Sequence, residues 1–67
     1  MLDAIDDALD VLEDDPSTAA CRKRSFGGGL WGMPVRDRHD DWLIVWERDA
    51  DEPDIIRVRY IGVDPFA

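Results

Sequence analysis

The run Trp42-Leu43-Ile44-Val45-Trp46 constrains this chain more than any other feature. Five consecutive β-branched, aliphatic and aromatic residues between polar turns read as a strand. Alternation places Trp42, Ile44 and Trp46 on one face, and Leu43 and Val45 on the other. A strand that is apolar on both faces needs cover on both. One short helix covers only one of them. The second face is expected to meet the connecting segment, another copy of the chain, or a partner chain.

The first face has an evident cover. Over residues 2–13, Leu2, Ile5, Leu9 and Leu12 recur at spacings of three and four, with Ala4 and Ala8 beside them. That is the period of an amphipathic helix. Asp side chains fill its outer face. The segment stops at Asp14-Asp15-Pro16, because proline disfavours helix in the residue before it. Glu13 and Asp14 oppose the helix dipole in the last turn, so packing rather than charge has to hold this helix.

Residues 16–29 read as a connector, with Ser17 and Thr18 opening one helical turn through Ala19, Ala20 and Cys21. The basic run Arg22-Lys23-Arg24 follows, then Gly27-Gly28-Gly29, where the backbone is free to take angles other residues avoid. Beyond it the period changes to two. Leu30 to Arg36 is a candidate strand, with Pro34 confining it to an edge or a bulge. Arg36-Asp37-Arg38-His39-Asp40 and Asp49 to Pro53 are polar turns. Ile55 to Ile61 forms a third strand, ended by Gly62. Within it Ile56, Val58 and Tyr60 alternate with Arg57 and Arg59. Short connections make neighbouring strands antiparallel. The expected fold is therefore α+β: a single domain of residues 1–67, with an acidic helix (1–15), a basic glycine-rich connector (16–29) and a three-stranded antiparallel meander (30–67).

Charge narrows the function classes. Net charge is −8. Residues 1–15 hold seven carboxylates and no Lys or Arg, whereas residues 16–67 hold eight basic and nine acidic side chains. The excess sits on the helix, which repels phosphate, and tight nonspecific nucleic-acid binding is not expected. An apolar share of 45% is ordinary for a globular chain and excludes disorder on composition. Cys21 is alone, so neither an internal disulfide nor a multi-cysteine zinc site is expected, which suits a reducing compartment. No apolar run approaches the ~20 residues of a membrane helix, and no secretory leader is read. A cytoplasmic chain without a cofactor is the expectation. Gly27-Gly28-Gly29 lacks the Lys-Ser/Thr that completes a phosphate loop. Asp3, Asp6, Asp7 and Asp10 read as a solvated helix face, and neither Ser17 nor Ser25 has a nucleophile's context.

The order of features is similar to a known pattern. Leu12-Glu13-Asp14-Asp15-Pro16 closes a helix, and the basic glycine-rich stretch Arg22 to Gly29 follows. Three strand signatures come next: Gly29-Leu30-Trp31-Gly32-Met33-Pro34-Val35-Arg36, then Trp42 to Glu47, then Ile56 to Gly62. In this order and spacing, from about residue 5 to residue 66, the chain resembles the RelE/ParE toxin superfamily of bacterial toxin–antitoxin modules. The family usually opens with a strand and a further helix. This chain begins at what corresponds to the second helix, as a shortened version of that fold. The resemblance implies a toxin acting by ribosome-dependent mRNA cleavage or by inhibiting a target such as gyrase. It also implies an antitoxin as partner.

The mRNA-cleaving members need a base for the ribose 2′-hydroxyl, an acid for the leaving oxygen, and cations around the phosphorane. Carried over by position, most of that set is replaced. The first-strand lysine positions fall near Gly32 and Pro34, and the middle-strand arginine position falls on Leu43. The arginine after the last glycine falls in Val63-Asp64, and the terminal tyrosine position holds Phe66. Arg36 and the run Arg22-Lys23-Arg24 survive. The gyrase-inhibiting branch does not need that set.

The candidate catalytic residues are then Arg36, Arg57 and Arg59 as phosphate cations, with Tyr60 and His39 for proton transfer. The plainer roles are cross-strand pairing with Glu47 for the arginines, core packing for Tyr60, and turn polarity for His39. Arg22, Lys23, Arg24 and Trp31 are candidates for binding nucleic acid or an antitoxin, against a solvated connector and a core tryptophan. The alternative function is a non-catalytic toxin-fold module that dimerises or binds a protein partner through its apolar sheet face.

Overall fold

The computed structural model describes residues 3–65. Helix α1 spans Asp3–Asp14 and buries Ile5, Ala8 and Leu12, the stripe that the three-and-four spacing sets. Leu2 and Phe66 lie outside the described residues. Asp15 ends the helix. Its carboxylate accepts the Ser17 N–H at 3.1 Å and the Ser17 hydroxyl at 2.6 Å. One turn follows, closed by the Arg22 N–H on the carbonyls of Thr18 and Ala19.

The expected sheet has three strands; the described sheet has four, in the order β1-β2-β3-β4, every pair antiparallel. They are β1 (Arg24–Gly27), β2 (Leu30–Asp37), β3 (Asp40–Arg48) and β4 (Ile56–Val63). The added strand comes from the connector. Gly27, Gly28 and Gly29 all take positive φ. Positive φ at both central residues of a two-residue turn gives a hairpin that follows the strand twist. The turn folds Arg24–Gly27 back onto Leu30–Gly32. Pro34 is accommodated because β1 reaches only Gly32, so the outer side of β2 is unpaired where the proline lies.

Both edge strands carry a bulge. Ser25 faces Trp31 and Gly27 faces Leu30, which leaves Phe26 as the extra residue in β1. Val58 faces Trp46 and Tyr60 faces Val45, which leaves Arg59 as the extra residue in β4. The second bulge overturns one sequence expectation. Ile56 and Val58 share the face of Trp46, but Tyr60 moves to the face of Val45. Ile61 and Val63 take its place opposite Ile44 and Trp42. A bulge shifts the alternation by one residue, and no periodicity in the segment signals it. The strand also continues through Gly62 to Val63 instead of ending at Gly62.

Helix α1 lies over β2 and β3. Ala8 and Leu12 join Cys21, Met33, Ile44 and Trp46 in one buried cluster. Trp46 is 0% exposed, and its indole N–H donates to the Cys21 carbonyl at 2.7 Å. That bond fixes the 15–22 turn beside the helix as part of the same cover. The Arg22 guanidinium lies 4.9 Å from the centre of the Trp31 ring and extends the cover outward.

The opposite face has no helix, yet Leu43 is only 1% exposed. Two aromatic rings from the sheet itself cover it. A Cβ on Gly32 would stand 2.7 Å from Phe26 Cε2, and one on Gly62 would stand 2.6 Å from the Tyr60 hydroxyl. Each ring therefore packs over a glycine, a known way of filling a sheet position that lacks a side chain. The Tyr60 hydroxyl donates to the Val63 carbonyl at 2.9 Å. At the same face the Arg24 guanidinium meets the Asp64 carboxylate at 2.7 Å, joining the outer strand β1 to the end of β4. The Asp64 side chain is 2% exposed.

Candidate functional site

The five candidate catalytic residues do not converge. Arg36 stands opposite Asp41 and Arg57 opposite Glu47. Six positions along β3 separate those partners, or about 20 Å at the usual strand rise. His39 lies in the exposed two-residue turn beyond Asp37 and Asp40, farther still from Arg57. Tyr60 sits between the two ends with its hydroxyl engaged by Val63.

Each of these arginines also has a carboxylate. Arg36 meets Asp41 at 3.3 Å, Arg57 meets Asp49 at 2.6 Å, and Arg59 meets Glu47 at 3.3 Å. A hollow of ≈ 380 Å³ at the β3–β4 end is walled by Arg48, Arg57 and Arg59, but Glu47, Asp49 and Asp51 stand among them. A phosphate entering it would compete with carboxylates already in place. Asp49 is the anchor of that end. It accepts Arg57 Nε and the N–H groups of Asp51 and Glu52. The Arg57 hydrogen bond comes first and the two backbone N–H groups next in holding the Asp49 carboxyl below its ordinary pKa. The same contact raises Arg57 above its ordinary value. Asp15 is lowered too, first by the Ser17 hydroxyl and then by the Ser17 N–H.

The candidate binding residues divide. Arg22 stacks on Trp31 and donates from Nε to the Pro16 carbonyl at 3.2 Å. Arg24 is committed to Asp64. Lys23 is exposed between them. Trp31 is half-buried against the core cluster. The basic run is thus drawn in different directions and does not form one cationic patch. Among the described residues, no three His, Cys, Asp or Glu side chains gather as a metal ion requires. No helix there is long and apolar enough to cross a membrane.

Two apolar surfaces remain. On the helix side, α1 stops short of the outer strand. Val58, Ile61 and Val63 of β4 are exposed there, Val63 by 64%. Between this row and the helix runs a groove of ≈ 270 Å³, lined by Leu9, Leu12, Ile56 and Val58 with Glu13 and Asp54 at its rim. On the other face, a shallow hollow of ≈ 370 Å³ is lined by Phe26, Leu43, Val45, Tyr60 and Pro65.

Sequence reasoning found the apolar second face through Leu43 and Val45. It missed Phe26, because a lone aromatic within a basic, glycine-rich stretch carries no periodic signal. The available hint was Gly32, a strand glycine that leaves room for a ring. Val63 was missed because Gly62 was read as the end of the strand.

No protein-family model matches the chain, and no significant match exists among curated proteins or solved structures.

Proposed function

We propose that this chain is a non-catalytic protein-binding module that works in the cytoplasm. The observation that carries this reading is the exposed row Val58, Ile61 and Val63 beside the α1 groove. A contiguous apolar row with a polar rim is the anatomy of a protein interface. The partner is a protein segment with an apolar stripe and basic flanks. Glu13 and Asp54 edge the groove, and residues 1–15 carry seven carboxylates without a cation, so a basic flank gains attraction on approach.

An antitoxin-like protein encoded in the neighbouring reading frame is the first partner to test. Calorimetric titration with wild type, Ile61→Asp and Arg36→Ala separates the readings. Binding that Ile61→Asp weakens at least tenfold, and Arg36→Ala leaves unchanged, supports the module.

The toxin reading is kept as the second. What supports it is the succession of an acidic helix, a basic segment and an antiparallel sheet, the order that prompted the RelE/ParE resemblance. Its test is bacterial cell-free translation with purified protein, reading protein yield and mRNA ends. New mRNA ends that require ribosomes would establish a nuclease and overturn the module. Intact mRNA with inhibited DNA supercoiling would establish a gyrase-type inhibitor.

A further inference from the structure

The helix-free face of the sheet carries a second, separate surface. Its centre is the hollow lined by Phe26, Leu43, Val45, Tyr60 and Pro65. Phe26 is 40% exposed and Tyr60 45%. The Phe26 ring lies over Gly32, and the Tyr60 ring lies over Gly62 with its hydroxyl bonded to the Val63 carbonyl. A ring already packed on the sheet loses less conformational freedom on burial by a partner than one free in solvent.

The rim is electrically balanced. The four ion pairs found among the described residues are Arg24–Asp64, Arg36–Asp41, Arg57–Asp49 and Arg59–Glu47. By strand register, Arg24, Arg36, Asp41, Glu47 and Arg57 all stand on the face of Leu43 and Val45. Each of these five side chains belongs to one of the four pairs, so opposite charges offset one another beside the apolar centre. The surplus charge of the chain lies on α1, across the sheet.

We infer that this face is a homodimer interface, with a second copy of the chain seated on it about a two-fold axis. The charge layout favours a copy over an unrelated partner. A balanced surface meets itself without repulsion, whereas two copies meeting on the helix side would set seven carboxylates against seven. Face-to-face stacking also puts the two acidic helices on the outside, separated by both sheets and farther apart than a Debye length. Edge-to-edge pairing is disfavoured, because the β1 and β4 edges are each broken by a bulge. Phe26 lines the hollow and is 40% exposed, so its ring is open to a second copy seated there. This face is separate from the β4 row, and a dimer on it stands without the partner reading.

Analytical ultracentrifugation of the full chain from about 5 to 500 μM, in 0.15 M and 1 M NaCl, tests it. The expected result is a shift from 7.6 kDa to twice that mass. Salt should leave the association unchanged or tighten it, since an apolar contact between neutralised surfaces gains nothing from net attraction of opposite charge. Phe26→Asp should weaken the dimer at least about thirtyfold, and Val63→Asp should leave it intact. A single 7.6 kDa species throughout overturns the proposal, as does dissociation in 1 M salt. Loss of the dimer in Val63→Asp with retention in Phe26→Asp moves the interface to β4 and overturns it equally. Should Phe26→Asp fail to fold, intermolecular NOEs in a mixed isotope-labelled wild-type sample decide. Contacts from the Phe26 ring to Leu43 and Pro65 of the other copy support the interface, and their absence in a dimeric sample overturns it.

Discussion

The two faces of this sheet solve one problem with different materials. The helix-side face is closed by elements distant along the chain. Leu12 and Ala8 come from α1, Cys21 from the turn, and Trp46 is locked to the Cys21 carbonyl. The far face is closed by residues of the sheet itself, two rings laid on two glycines and one ion pair drawn across them. The first cover is thick and excludes water from Trp46. The second is one ring deep and leaves its rings about half open. A thick cover stabilises the fold, whereas a thin one keeps apolar surface available for association.

Single substitutions sharpen or break this contrast, and urea unfolding reads each of them. Trp46→Ala has the largest expected effect, a loss of about 3–5 kcal/mol, because it empties the centre of the thick cover. Within that, Trp46→Phe should lose about 1–3 kcal/mol by leaving the buried Cys21 carbonyl without its donor. A cost as large for Phe26→Ala would erase the contrast. Next is Arg24→Met. It leaves the Asp64 carboxylate buried without the guanidinium, and the expected loss is about 2–4 kcal/mol, moderated by the 31% exposure of the Arg24 side chain.

Gly32→Ala should cost about 1 kcal/mol, since its Cβ displaces a ring that has solvent to move into. In combination with Phe26→Ala the penalty should shrink to what the 3.1 Å approach to Arg24 Cβ costs, and a double-mutant cycle showing additivity would mean that ring and glycine do not touch. Arg38→Gly acts in the opposite direction. Arg38 holds φ at 53° in the β2–β3 turn, and relief of that strain should raise stability by roughly 0.5–1 kcal/mol.

The smallest effect is a slope. Asp49 has its folded pKa below its ordinary 3.8. Its contribution is therefore present above pH 3.8 and fades as pH falls through the lowered folded value. Wild type and Asp49→Asn should differ at neutral pH and converge in acid. Parallel curves down to the acid limit would mean that the Arg57 contact stabilises nothing.

The sequence made the broad architecture legible wherever a period was long enough to read. The apolar stripe from Ile5 to Leu12 marked the helix. The Trp42–Trp46 run marked the central strand and rightly required cover on two sides. Features that depend on one residue or on distance were invisible. Strand β1 has four residues and one apolar side chain, so only the glycine turn behind it specifies the pairing. The bulge at Arg59 turned Tyr60 away from the core without any change in the Ile56–Tyr60 pattern. Arg24 and Asp64 lie 40 residues apart, and nothing local to either names the other. Arg36, Arg57 and Arg59 lie on strands as read, whereas Arg24, read as connector, opens β1. Their separation along β3 depended on register, which composition does not carry.

The Arg24–Asp64 contact also bears on time. The sheet is built from successive hairpins, so most strand pairing joins residues near in sequence and forms early. An ion pair between the first strand and the end of the last can close only after every hairpin is in place. A contact made after the folding barrier leaves the folding rate unchanged and slows unfolding. The clasp therefore works as a brake on opening: it lengthens the native lifetime of a chain too small to gain much from its core, and with it the interval between exposures to proteases.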